Sequence, residues 1–199
     1  MDLRDTHTQS APTARGRQRR ERIIEAATAL FDVKGFHGTS IDEIGASAGI
    51  TGPGLYRHFA GKDEILLAVF DRIWDLLKGA IDRVQDLGPD EALDELIDTH
   101  ITLALDQGEA LGLLVRELRH VPDYYQRAAE RNDDRYIDTW AEVIVELHPA
   151  LGLDEARMAA RALMGLIGYS RREVPLGRVP KHKLREMLRT MAQEALSEF

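Results

Sequence analysis

The 199-residue sequence predicts an all-α protein of nine helices. Three observations carry that prediction. Apolar residues recur at three- and four-residue spacing from Ile23 to Leu196, breaks containing Gly or Pro cut the pattern into helix-length segments, and no alternating stretch reads as a strand.

Ile23, Ile24, Ala27, Leu30 and Phe31 form the first stripe, and Lys34-Gly35 supplies a cation and a stop, so a helix is predicted over 16–34. Ser40-Ile-Asp-Glu43 has the form of a capping box and opens a second helix over 41–47, with Ile41, Ile44 and Ala48 on its inner face. Gly49 follows where a left-handed residue reverses the chain at little steric cost. Thr51 is a good N-cap, and Pro53 then falls in the first turn of a third helix, where its missing amide hydrogen is no loss. Gly52 and Gly54 weaken that helix by roughly 1 kcal/mol each relative to alanine, so close approach to a partner is a reason for their presence. Leu55 and Phe59 mark its inner side and turn Tyr56, Arg57 and His58 to the outer and flanking surfaces. Helix, short turn, exposed helix is the helix-turn-helix arrangement. A long helix over 62–85 follows, ended by Leu87-Gly88-Pro89, and five more are predicted near 89–106, 108–119, 122–147, 153–171 and 180–198.

The charge is segregated along this order. The chain carries a net charge of −8, but residues 1–62 hold 9 Lys/Arg against 7 Asp/Glu, and residues 63–199 hold 17 against 27. Arg15, Arg17, Arg19, Arg20 and Arg22 make a basic arm on an acidic molecule, suited to phosphate and equally compatible with a solvated helix entrance. The absence of cysteine excludes disulfides and thiol chemistry. Without a run of about 18 apolar residues or an apolar signal core, no membrane association is expected and the cytoplasm is the expected location. The first 14 residues read as a disordered tail.

Thr39-Ser40-Ile41, Ile44-Gly45, Ala48-Gly49-Ile50-Thr51 and Leu55-Tyr56-Arg57-His58-Phe59, followed by Lys62-Asp63-Glu64, resemble the N-terminal signature of TetR-family transcriptional regulators, specifically over residues 17–70. The resemblance implies a helix-turn-helix DNA-binding domain over 15–62 and a helical ligand-binding and dimerisation domain over 63–199. It implies a homodimer on double-stranded operator DNA, with operator affinity falling when a small molecule binds. By position it implies phosphate contacts from Thr39, Ser40, Tyr56, His58 and Lys62, and base-edge or close groove contacts from Thr51, Gly52, Pro53 and Arg57. Arg17 of the basic arm joins that DNA-binding set. Gly45 stands where alanine is usual, Gly54 where a small residue with a Cβ is common, and Gly61 where serine often caps. Arg57 is left as the long side chain for direct reading, most naturally of guanine O6 and N7.

In the second part, 153–171 is apolar almost all round from Met158 to Tyr169 and needs cover on two sides. The last helix carries one stripe, Leu184, Met187, Leu188, Met191, Ala192, Ala195 and Leu196. Paired with their twins, these two helices would build a four-helix subunit interface. His100, Leu103, Leu114, Glu117, Leu118, Tyr136, Trp140, Met164 and Tyr169 are the candidate lining of an effector site for a small, largely apolar molecule. The histidines lack metal-ligand spacing, and no metal or cofactor is expected. The rival reading, an all-helical enzyme or lipid-carrying module with a structural N-terminal domain, finds no nucleophile elbow, phosphate loop or zinc motif to name.

Overall fold

The computed structural model describes residues 14–174 and 176–197; of the expected tail, all but Ala14 lies outside them. The described residues form α1 (Ala14–Lys34), α2 (Ile41–Ala48), α3 (Gly52–Leu55), α4 (Lys62–Val84), α5 (Pro89–Asp106), α6 (Gly108–Glu117), α7 (Asp123–Leu147), α8 (Leu153–Tyr169) and α9 (Lys181–Ser197), with 3-10 turns at Leu118–His120 and Ser170–Arg172 and no strand. Contacts divide the chain into two compact units, residues 1–66 and 67–199.

In the first unit, Ile23, Ile24, Ala27 and Phe31 of α1 are buried with Ile44 and Ala48 of α2, Leu55 of α3, and Phe59 and Ile65 around the start of α4. Each such aliphatic or aromatic side chain contributes about 1.5–3 kcal/mol on leaving water. Phe36 meets Phe31 edge-on at 5.2 Å between ring centroids. The capping box forms as read: the Ser40 amide and hydroxyl donate to Glu43 Oε2, and Ser40 Oγ accepts from the Glu43 amide. Lys34 Nζ donates to the other carboxylate oxygen at 2.6 Å. Lys34 first, then the Ser40 amide and hydroxyl, pull the Glu43 carboxyl down to about 2. Gly49 takes φ 66°, and the Gly49 and Ile50 amides close the end of α2 on the Ala46 and Gly45 carbonyls.

The second unit is organised around α5, which packs against α6, α7, α8 and α9 and buries residues on nearly every side. Helices α7 and α8 pair antiparallel, Arg157 donating to Asp138 at 2.8 Å. Helix α9 lies along α5 through two seams. The apolar seam uses Leu184, Leu188, Ala192 and Leu196, all buried. The polar seam runs in a single antiparallel register: Gln193 donates to Asp94, Arg189 to Asp98, and Arg185 to Thr102 and Asp106. Lys181 pairs with Asp106 at 2.5 Å. Burial alone would raise the Asp106 carboxyl, but its bonds to Lys181 and then Arg185 outweigh burial and hold it below the usual range.

The α9 stripe that reads as one face in the sequence is therefore two. Leu188 is 3% exposed, whereas Met187 and Met191 are 48% and 42% exposed. On α8, Met158 and Tyr169 are likewise exposed, with Ala162 and Gly165 between them.

Candidate nucleic-acid interface and effector cavity

The outward surface of the first unit starts at Thr51. This residue occupies the N-cap position in extended conformation, but its hydroxyl makes no capping bond. Helix α3 is only one turn, Gly52–Leu55, and Tyr56, Arg57 and His58 continue it as hydrogen-bonded turns, with Phe59 N–H still reaching the Leu55 carbonyl at 3.1 Å. Two glycines in four residues account for the short regular span. Leu55 and Phe59 are buried, Tyr56 is 58% exposed, Arg57 and Pro53 are exposed, and His58 is half-buried.

Glycines in this turn serve the chain itself. A Cβ on Gly45 would stand 2.9 Å from the Ile50 carbonyl oxygen, and one on Gly54 would stand 2.9 Å from Ile50 Cγ2. The alanine common at the first position would push the turn backbone away. At Gly52 the nearest atom to such a Cβ is Asp42 Oδ1 at 3.4 Å, an ordinary contact, so nothing within the unit demands glycine there.

Two residues expected on the phosphate-facing side are tied into the unit. Thr39 is buried and its hydroxyl donates to the Gly35 carbonyl at 2.9 Å, with the Leu30 carbonyl at 3.3 Å. Lys62 Nζ donates to the Phe36 and Thr39 carbonyls at 2.7 and 2.8 Å and stands 4.6 Å from the centre of the Phe36 ring. One ammonium thus joins the first turn of α4 to the α1–α2 connection. Ser40 is exposed but its hydroxyl is committed to Glu43. Of the basic arm, Arg20 lies over Phe59 at 4.8 Å, while Arg15, Arg17, Arg19 and Arg22 are on the exposed side of α1.

The second unit contains a cavity of about 440 Å³ walled by α5, α6, α7, α8 and the turn after α8. Leu111, Ile137, Met164 and the 68% exposed Val115 give it its apolar lining, Gly165 and Gly168 open it along α8, and Arg161, Arg171, Arg172, Asp133, His100 and Tyr169 complete the wall. Its volume is within the range of about 300–1,000 Å³ usual for ligand pockets. His100 Nε2 lies 3.3 Å from the Met164 carbonyl, so the neutral ring carries its hydrogen there, and Nδ1 is buried without a partner. Burial, only partly offset by the Met164 bond, pushes the His100 imidazole down to about 4. A second cavity of about 360 Å³ between α4 and α7 is also lined by charged residues, Asp71, Asp75, Lys78 and Arg135. There Tyr125 Oη donates to Asp71 at 2.8 Å; burial and then Asp71 push that phenol up.

Residues 23–69 match the domain family described as bacterial regulatory proteins, tetR family, and residues 86–172 match the tetracyclin repressor-like C-terminal domain. The chain belongs to the TetR family. Over 64 residues it is 39% identical to the HTH-type transcriptional activator FasR of Mycolicibacterium smegmatis, which covers 32% of this chain and 29% of that protein. Over 134 residues it is 28% identical to an uncharacterized HTH-type transcriptional regulator of Haemophilus influenzae, covering 65% and 64%. The chain thus spans between 29% and 64% of the length of these curated relatives. AibR, whose crystal structure is a complex with isovaleryl coenzyme A and operator DNA, shares the fold with a TM-score of 0.71 at 23% identity, over 87% of this chain and 97% of AibR. This TetR-family chain shares its N-terminal domain with helix-turn-helix transcriptional regulators.

Within the TetR-family second unit, the residues singled out from sequence separate into groups. His100, Met164 and Tyr169 line the α5–α8 cavity. Leu103, Leu114, Tyr136 and Trp140 are core, with Tyr136 and Trp140 packed edge-on at 6.3 Å beside His100. Glu117 is half-buried and stands 3.5 Å from His120; Leu118 is half-buried in the turn that follows α6. Neither lines the cavity. Among the lining residues left out of the sequence-derived candidate set are the arginines. The signal for two of them was present: Arg171-Arg172 follows the apolar stretch of α8 after a single residue, Ser170.

Proposed function

We propose that the protein is a homodimeric repressor that binds a near-palindromic operator and is released from it by a small molecule held among α5–α8. One observation carries the DNA-binding part. The capped α2, the left-handed Gly49 and the one-turn α3 form a continuous buried inner side, Ile44, Leu55 and Phe59, behind an exposed Thr51, Pro53, Tyr56 and Arg57. In this reading Thr51, Gly52, Pro53 and Arg57 meet base edges. Ser40, Tyr56, His58 and Arg17 face phosphates, and Thr39 and Lys62 set the position of the groove-facing turn. The partner subunit covers the exposed stripe of Met158, Ala162, Met187 and Met191. Helix α4, continuous from Lys62 to Val84, carries any ligand-dependent displacement in the second unit to the turn that holds Lys62. No helix of the described residues is long and apolar enough to cross a membrane, in keeping with a cytoplasmic regulator.

Arg57→Ala is expected to relax base preference at one position per half-site at a cost of about 1–3 kcal/mol, and Lys62→Ala to weaken every sequence alike. Binding of a panel of single-base operator variants separates the two. Equal loss of preference in both variants would remove Arg57 from direct reading.

A further inference from the structure

We propose that the α5–α8 cavity takes an amphiphilic anion, an apolar chain ending in a carboxylate or phosphate, rather than a neutral or cationic lipophile. The inference rests on that cavity being the effector site and names the class of molecule it accepts.

The wall carries three arginines and Asp133, with Asp134 beside it also ion-paired to Arg161, so arginines exceed carboxylates by one. This excess lies within a segment, residues 63–199, that holds 17 Lys/Arg against 27 Asp/Glu, so it is a local reversal of the field around it. The arginines are also set in place. Arg171 runs along α6 where two glycines give it room: a Cβ on Gly108 would stand 3.1 Å from Arg171 Cβ, and one on Gly112 would stand 3.5 Å from Nη1. Arg172 lies over the Tyr169 ring at 5.4 Å. Arg161 is ion-paired with Asp133 at 3.7 Å and with Asp134 at 3.8 Å, distances beyond hydrogen-bond range, so its N–H donors are left open to a further acceptor. A planar carboxylate or phosphate suits such donors through paired hydrogen bonds. Leu111, Val115, Ile137 and Met164 then receive the chain.

The test measures binding of octanoate, octyl phosphate, 1-octanol and octylamine to the full chain without DNA, by calorimetry. One or both anions should bind at least ~10-fold tighter than octanol, with octylamine weakest, since a charge-assisted hydrogen bond supplies about a factor of ten or more. The tighter of the two anions identifies the head group. The preference should shrink to within a few-fold in the Arg161→Gln, Arg172→Gln double variant, whose substituted side chains are exposed and outside the core. Gly168→Leu, where an added Cβ meets nothing within 4 Å, should fill the cavity and weaken the anions without unfolding α8. Octanol binding as tightly as both anions, octylamine binding best, no binding by any of the four, or an anion preference unchanged in the double variant would overturn the proposal. Operator affinity is read separately. Anion binding that leaves it unchanged supports the ligand class and overturns the effector role, whereas release by octanol alone overturns the ligand class and keeps that role.

Discussion

Leu188→Glu should unfold the second unit, while Met191→Glu, three residues away on the same helix, should leave it folded and break the dimer. Leu188 is buried against α5, and a carboxylate there has no cation to meet within the apolar seam of Leu184, Ala192 and Leu196. Burying a charge without a partner costs upwards of about 3 kcal/mol, a large part of the 5–15 kcal/mol that typically holds a domain together. Met191 is 42% exposed, so its replacement costs the isolated chain little. In the proposed dimer it is covered by the partner's copy of the stripe, and two glutamates would face one another across a desolvated contact. Thermal melting should separate the variants by stability, and sedimentation by mass. A Met191→Glu protein that remains a dimer would move the interface off this face.

Acid should destabilise the protein through His100. Its pKa of about 4 in the folded chain is below the ordinary 6.5, so the unfolded chain takes up the proton first and stability falls as the pH drops from 6.5 toward 4. A shift of that size corresponds to roughly 3 kcal/mol in all, about 2 kcal/mol of it lost by pH 5. Asp133, whose carboxyl burial pushes up, works in the opposite sense, and the depressed Asp106 and Glu43 add to the loss at lower pH. His100→Gln retains an N–H for the Met164 carbonyl without titrating between pH 4 and 7. Urea unfolding at pH 7 and pH 5 should therefore show a smaller difference for this variant than for the unsubstituted protein. An equal pH dependence in both would mean that His100 is protonated in the folded chain as readily as in water.

What the sequence made legible is what local chemistry dictates. Ser40 with Glu43, Gly49 after α2, Pro53 early in α3 and the Gly-Pro pair before α5 each act within a few residues, and the helix limits they imply agree closely with the structure. The third helix came out shorter than its stripe because Gly52 and Gly54 weaken regular helix while Leu55 and Phe59 still pack. What stayed hidden depends on contacts across long separations. Asp94, Asp98, Thr102 and Asp106 stand at intervals of four on α5, and Lys181, Arg185, Arg189 and Gln193 at intervals of four on α9. Each row alone reads as a solvated face. Only their pairing shows which half of the α9 stripe turns inward, leaving Met187 and Met191 outside. The cavity followed the same logic: Tyr136 and Trp140 carry the polar handles that draw attention in a sequence, yet they are core, and Arg161, Arg171 and Arg172 form the polar wall.

Selection from a pool of random duplexes, followed by binding of the recovered sequences over a salt series, shows whether the protein reads DNA as a symmetric dimer. A dimer presenting two copies of the Thr51–Arg57 surface should enrich an inverted repeat whose half-sites are about 34–36 Å apart or a multiple of that. Its affinity should fall steeply with salt as phosphate counterions are released. Recovery of no inverted repeat, with affinity indifferent both to sequence and to salt, would contradict that reading.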